Sequence, residues 1–321
     1  MGKLIRKATG LTVGVATLLA GLVLPMTASA ESASPIDASP IIHYSFDNAL
    51  TSKTIANEGS AANSDATLSG DATVANGQIN LTGSQTISVP TTAIAGKKDV
   101  TVSIWLKNNY GNGNTAAAYI GAAKTGNYPA NGYWLLNPAN PSGYAKSVMT
   151  NATAADPNNS PWGTEVGPGS TNAATIGTKA TSDLALYTTV ISGTNSTMSF
   201  YLDGKQVGDA TYTIPAGGLT NYGGLVAYIG KSSYADPNSK LDVDDYVVYD
   251  TAISAADVTK LYDVQVLDKA EAAVKAAVPA SATEDFTLPT SAAGVSIAWK
   301  SGNAAIAVDN ATGKATVTLS R

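Results

Sequence analysis

The chain has 321 residues, 44% of them hydrophobic and 13% charged, with a net charge of −5. That is enough apolar material for real cores, at about two domains' length and roughly half the usual share of charge. It has no Cys and one His, and Arg stands only at Arg6 and Arg321. Disulfide scaffolds, thiolate nucleophiles and His-rich metal sites are therefore excluded. So is a guanidinium clamp for phosphate or carboxylate in the body of the chain. The acidic balance argues against nucleic acid and anionic membranes as partners.

The N-terminus reads as an address. Lys3, Arg6 and Lys7 precede an apolar run from Leu11 to Met26, and Ala28-Ser29-Ala30 is a small-residue cleavage site. Residues 1–30 are expected to be a signal peptide of a secreted, extracellular protein of Gram-positive type, with no second span inserted in a membrane. Residues 31–40, with two prolines, read as a flexible leader.

From Ile41 onward short apolar runs alternate with Gly, Asn, Asp and Pro turns, the pattern of an all-β sandwich. Strands are expected at Ile41–Phe46, Gln78–Leu81, Thr86–Val89, Val100–Lys107, Ala117–Ala122 and Tyr133–Leu136. Further ones are expected at Tyr187–Ser192, Thr197–Leu202, Lys205–Val207, Leu225–Gly230 and Lys240–Tyr249. Val100, Val102, Ile104 and Leu106 fall on one face of their strand and Thr101, Ser103 and Trp105 on the other. Asp203-Gly204 is a two-residue hairpin turn. Ser254 with Asp257 reads as a capping pair for a short helix to Tyr262. A second helix is expected from Asp268 to Val278, ended by Pro279. Phe286–Leu288, Val295–Trp299, Ile306–Val308 and Ala315–Leu319 are again short strands.

Several segments, in order, carry a resemblance: His43-Tyr-Ser-Phe-Asp47, Val102-Ser-Ile-Trp-Leu106, Met198-Ser-Phe-Tyr-Leu-Asp-Gly204, Tyr228-Ile-Gly-Lys231 and Leu241-Asp-Val-Asp-Asp-Tyr-Val-Val-Tyr249. Over residues 41–263 the chain resembles the laminin-G-like, concanavalin A-like jelly-roll domains. Residues 264–321 resemble the atypical bacterial Ig-like domain beside glycosidase catalytic domains, through Phe286-Thr-Leu-Pro-Thr290, Ile297-Ala-Trp-Lys-Ser301 and Gly313-Lys314. In that family a further strand follows, so this Ig-like unit is expected to be partial. The fold class expected is thus a jelly-roll β-sandwich followed by a partial Ig-like β domain.

The chemistry follows from what the residues offer. The jelly-roll glucanases that this fold resembles carry a run of closely spaced acids, and none is present here. Asp242 and Asp244 share a strand face, which leaves a glycosidase pair as one reading and structural acids as the other. The resemblance implies a structural calcium ion at Asp47 and Asp244, with Asn57 or Gly59 as carbonyl donors; the other reading is that these acids hold turns. His43 reads as structural. Tyr110, Tyr128, Trp162 and Tyr234 lie in Asn-, Pro- and Gly-rich segments. A rigid ring there can stack on the apolar face of a sugar, or it can staple a loop. Trp105, Trp134 and Trp299 read as packing residues.

The expected function is a monomeric, non-catalytic carbohydrate-binding and spacer region of a secreted bacterial glycoside hydrolase. A polysaccharide or other glycan would be its partner, and by resemblance an arabinan- or arabinoxylan-degrading enzyme its parent. A cell-surface adhesin is the rival reading, and a glycosidase in its own right the third.

Overall fold

The computed structural model describes residues 36–126, 128–129, 132–150, 161–169, 183–208, 211–279, 281–292, 295–301 and 304–318. The expected signal peptide and residues 31–35 of the expected leader lie outside the described residues. Contacts divide the chain into one unit from Ile36 to Tyr262 and another that contains residues from Asp263 onward.

The larger unit is a sandwich of two antiparallel sheets. The first has nine strands, in the order Lys205–Gln206, Thr197–Leu202, Ala185–Ser192, Asp99–Asn108, Leu241–Tyr249, Gln78–Leu81, Thr73–Ala75, with Ile42–Tyr44 and Tyr212–Thr213 paired beside this path. The second has eight, in the order Glu165–Val166, Lys146–Thr150, Tyr133–Asn137, Ala118–Ala122, Leu225–Ile229, Thr86–Val89, Ala66–Ser69, Thr54–Ile55. The first and last strands of the unit pair with each other, Ile42 opposite Val248 and Tyr44 opposite Tyr246.

Alternation decides which side chains meet between the sheets. Val100, Val102, Ile104 and Leu106 are all buried in the main core, against Ile120, Trp134 and Leu136 of the facing sheet. Each such side chain contributes about 1.5–3 kcal/mol on burial. Ser147 ties the layers together: its Oγ accepts from Trp134 Nε1 at 3.2 Å and lies 2.8 Å from Thr189 Oγ1. The outer face of the nine-stranded sheet is covered as well. Ile36 and the helix residues Val258 and Leu261 pack on Val190, Tyr201, Val247 and Tyr249. Trp105 stacks on Tyr262 with ring centroids 6.0 Å apart.

The Asp203-Gly204 turn forms as expected, with φ of 51° and 70°. So does the cap, where Ser254 Oγ accepts from Asp257 N at 3.1 Å and donates to its carboxylate at 2.7 Å. The expectation of two helices fails, because a single helix runs Ala255–Ala277. Nothing between Tyr262 and Asp268 breaks it: Asp263-Val-Gln-Val-Leu267 holds neither Gly nor Pro, so Asp268 has no end to cap.

The smaller unit has a three-stranded sheet, Phe286–Thr287, Lys314–Val317, Ile306–Val308, and a two-stranded pair, Ser291–Ala292 with Val295–Ser296. Leu288, Ile297, Trp299, Ile306 and Ala315 form its core, with Val274 and Val278 packed against them. Gly313 is required here, since a Cβ would lie 1.9 Å from the Leu288 carbonyl oxygen.

Ser254→Ala removes the acceptor for an orphan helix N–H and is expected to cost about 1 kcal/mol, read as a lower midpoint with unchanged slope in urea unfolding.

Candidate functional site

On the eight-stranded sheet the residues that alternate with the core point outward and form a second cluster: Tyr119, Tyr133, Leu135 and Val148, with Val226, Tyr228 and Tyr234 packed against them. The register brings them side by side, with Tyr119 opposite both Tyr228 and Leu135, and Leu135 opposite Val148. Gly121 faces Tyr133, and a Cβ there would lie 2.4 Å from the Tyr133 Cβ. Its missing side chain lets that ring lie across the sheet. Tyr234, in the segment after Leu225–Ile229, meets Tyr133 edge-on with centroids 5.5 Å apart.

A polar chain runs through these rings. Tyr234 Oη donates to Tyr133 Oη at 3.3 Å, and Tyr133 Oη donates to Glu165 Oε1 at 2.6 Å. Lys146 Nζ lies 2.7 Å from the other Glu165 oxygen, with the Glu165 side chain 2% exposed and that of Lys146 17%. Burial drives the Tyr133 hydroxyl well above its ordinary range, and the Glu165 charge beside it adds to the effect. Burial also raises the carboxyl of Asp236, against the opposing pull of Lys146. A buried charge is tolerated only when paired and hydrogen-bonded, and both conditions hold for Glu165.

Trp162 stands three residues before Glu165, on a 3₁₀ turn, Pro161–Thr164. Its side chain is 51% exposed, the large apolar side chain left open to solvent among the described residues. The turn is pinned at both ends: Pro161 is buried, Thr164 Oγ1 donates to its carbonyl at 2.8 Å, and Glu165 is anchored as above.

The four expected aromatic residues thus divide. Tyr234 joins the polar chain through Tyr133, and Trp162 stands three residues before that chain's Glu165 in sequence. Tyr110 instead follows the strand Asp99–Asn108, with its N–H on Asn108 Oδ1 at 3.1 Å and Lys240 Nζ 5.9 Å from its ring centroid. Tyr128 enters a two-residue strand paired with Lys124–Thr125, and its side chain lies outside the described residues. Glu165 has no basic neighbour close to it in sequence. Its partner Lys146 is reached only through the register that sets Thr150 opposite Glu165. The usable signal was the alternation Tyr119-x-Gly121 and Tyr133-x-Leu135, which points outward whatever the loops do.

The acidic strand makes a separate arrangement. Leu241–Tyr249 pairs with Gln78–Leu81 up to Val243 and with Ile42–Tyr44 from Tyr246. A bulge lies between Asp244 and Tyr246, with Asp245 at φ 46°. At that junction a Cβ on Gly77 would lie 3.4 Å from Asp47 Oδ1 and 4.0 Å from Asp244 Oδ2. Two carboxylates therefore border one bare glycine. Asn57 is engaged otherwise: its Oδ1 accepts from the His43 and Gly59 N–H groups at 2.9 and 3.0 Å. Its Nδ2 donates to the Ile41, Gly59 and Ala61 carbonyls. Among the described residues no group of three or more His, Asp or Glu side chains is placed to share a metal ion. Asp242 accepts from Asn80 at 2.5 Å. His43 Nε2 lies 2.7 Å from Asp245 and its Nδ1 3.8 Å from Glu58.

A family model described as the concanavalin A-like lectin/glucanases superfamily (Laminin_G_3) matches residues 81–259. No curated protein sequence matches the chain. Among solved structures it is similar to a sialidase from Trypanosoma rangeli, at 14% identity over 76% of this chain and 35% of that one, with a TM-score of 0.50. It is also similar to domain 4 of a GH43 extracellular arabinanase from Geobacillus stearothermophilus, solved with arabinotriose (19% identity, 70% of this chain, 98% of that one, TM-score 0.49). A third is the receptor-binding domain of botulinum neurotoxin mosaic serotype C/D (18% identity, 72% of this chain, 52% of that one, TM-score 0.47).

Glu165→Ala strands Lys146 and the Tyr133 hydroxyl. The expected loss is about 2 kcal/mol, below that of a fully buried pair because Lys146 keeps some contact with water. Chemical denaturation checks it.

Proposed function

This chain belongs to the concanavalin A-like lectin/glucanases superfamily, and we propose that its sandwich is a non-catalytic carbohydrate-binding module. The observation that carries this reading is Trp162: an indole 51% exposed on a turn anchored at both ends. A ring carried on an anchored backbone loses less freedom when it stacks on a sugar face than one on a mobile loop. Tyr234, packed on the outer face of the eight-stranded sheet, adds a phenol. The acids are committed to other tasks, Asp242 to Asn80 and Glu165 to Lys146 and Tyr133, which favours binding over hydrolysis.

The finer reading rests on the sequence. The protein is secreted, the part after Tyr262 is an Ig-like spacer, and the parent is a bacterial hydrolase acting on arabinan or arabinoxylan. Among the described residues no helix is long and apolar enough to cross a membrane. Asp47 and Asp244, beside Gly77, would hold a calcium ion, with backbone carbonyls and water completing its oxygen shell. The ion would neutralise the two carboxylates and lock the end of the first strand to the last.

Affinity electrophoresis against arabinan, arabinoxylan, levan, galactan and mucin tests the binding. One or two stacked rings, at about 1 kcal/mol each beyond area burial, give micromolar to millimolar affinity. Trp162→Ala should weaken retardation roughly fivefold or more. Binding to a host protein with no retardation on any glycan would replace this reading with the adhesin, and release of reducing sugar would replace it with an enzyme.

Calcium is tested separately. At about a hundredfold excess over its dissociation constant the ion should add about 2.7 kcal/mol to unfolding. Melting curves in calcium and in chelator should differ for the wild type and coincide for Asp244→Ala. Coincident wild-type curves would remove the metal from the account.

A further inference from the structure

The turn that joins Thr73–Ala75 to Gln78–Leu81 carries chemistry of its own. Ala75 lies opposite Gln78, and between them Asn76 and Gly77 have φ of 54° and 72°. That is the two-residue, left-handed turn for which Asn-Gly is the preferred sequence. Asn-Gly is also the pair most open to attack from within the chain. The Asn side-chain carbonyl stands one residue before a main-chain nitrogen, and glycine sets no Cβ beside that nitrogen to shield it. The sequence holds three such pairs, Asn76-Gly77, Asn112-Gly113 and Asn131-Gly132. Asn131 lies outside the described residues. The other two pairs differ at the attacking nitrogen. The Gly113 N–H donates to the Ala139 carbonyl at 2.9 Å, whereas the Gly77 N–H has no acceptor among the described residues. Asn76 itself is exposed, so water reaches the reacting atoms.

We propose that Asn76 is a site of spontaneous deamidation and isomerisation. The Gly77 nitrogen gives its proton to hydroxide and bonds to Asn76 Cγ. The Cγ–Nδ2 bond breaks, ammonia leaves with a proton from water, and a five-membered imide remains. Water then opens the imide. Addition at Cγ restores the main chain with Asp at position 76. Addition at the main-chain carbonyl carbon leaves isoaspartate, whose backbone is one carbon longer. In sum one water is consumed and one ammonia released, with no oxidation or reduction. The longer form matters because a two-residue turn sets the register of its strands. Gln78–Leu81 pairs onward with the last strand, Ile79 opposite Val243. A Cβ on Gly77 would lie 3.4 Å from Asp47 Oδ1 and 4.0 Å from Asp244 Oδ2. An extra backbone carbon between Ala75 and Gln78 therefore strains the junction where the first and last strands meet.

The full chain is held at mildly alkaline pH, with a mildly acidic sample as reference, then digested and mapped by fragmentation that separates Asp from isoaspartate. Conversion at Asn76 should outrun that at Asn112 roughly fivefold, the factor that one ordinary hydrogen bond on Gly113 represents. The isoaspartate-bearing protein, separated by ion exchange, should unfold at a lower urea concentration than fresh protein. Asn76→Gly accepts the same positive φ and has no side chain to react, so its midpoint should survive the alkaline incubation. Asn76→Asp adds the charge without the extra carbon and should stay nearer to fresh protein than the isoaspartate form does. An intact Asn76 after the incubation, or conversion at Asn112 as fast as at Asn76, overturns the site. Equal midpoints for fresh and isoaspartate-bearing protein overturn the strain at the junction.

Discussion

The strand Leu241–Tyr249 has to satisfy neighbours on both sides along nine residues. On one side it meets a single long partner, Asp99–Asn108. On the other it meets two short ones end to end, Gln78–Leu81 and then Ile42–Tyr44. The two short partners leave off and take up between Val243 and Tyr246, and at the same place the ladder to the long partner slips, with Asp244 opposite Trp105 and Tyr246 opposite Ile104, so that Asp245 is the extra residue of a bulge. Asp245 accepts a φ of 46° there, tolerable for Asp and strained for a β-branched residue. The same break brings the chain after the first strand and the Asn76–Gly77 turn to one place. Closure of the sandwich and the meeting of Asp47 with Asp244 thus have a common origin.

The eight-stranded sheet solves a different problem. Its inner face fills the core, and its outer face carries tyrosines that are almost as buried as core residues, Tyr119 at 0% and Tyr133 at 1% exposure. Tyrosine suits this position because it buries a large ring and still needs a partner for its hydroxyl. The partners form a relay, Tyr234 to Tyr133 to Glu165, and Lys146 closes it. A relay of this kind gains little net stability from each bond, yet breaking one link leaves a buried group unsatisfied. It fixes geometry more than it adds energy. The geometry it fixes is that of the turn bearing Trp162.

Much of this was legible where side-chain period alone decides the outcome. Val100 to Leu106, Gln78 to Leu81 and Thr197 to Leu202 declare their faces through strict alternation or dense apolar content, and all three form strands close to the expected bounds. Lys146–Thr150 was not legible, because its inward positions include Ser147, whose hydroxyl is acceptable in the core only through Trp134 and Thr189. The family match agrees with the resemblance read from segments spread along the chain. The Glu165–Lys146 pair was invisible for a related reason. It depends on which strands lie side by side in the sheet, and a one-residue slip would turn every side chain over. Sequence spacing marks which faces exist, and long-range register decides which residues share them.

Trp162 sits where the sheet ends, and the end of a sheet is ordinarily a hazard, since an edge strand offers unpaired N–H and C=O groups to any passing strand. Here the edge strand is cut to two residues, Glu165–Val166. The chain then folds tightly back over its neighbour: a Cβ on Gly167 would lie 2.2 Å from the Ser147 carbonyl oxygen, and one on Gly169 would lie 2.8 Å from the Lys146 Cβ. Only glycines with φ of 132° and 77° pass that closely. The Ser147 N–H, past the end of this short ladder, donates to the Pro168 carbonyl at 3.1 Å. Shortening the edge strand limits pairing with other chains, and the tight return fixes the segment that follows Glu165. The 3₁₀ turn before it is held from the other side by the buried Pro161. A large exposed indole is a liability on a mobile loop, where it invites nonspecific association. Between two anchored ends the backbone beneath it is held in place, which limits where the ring can reach. The constraints that protect this edge are therefore the same ones that make its single exposed tryptophan usable.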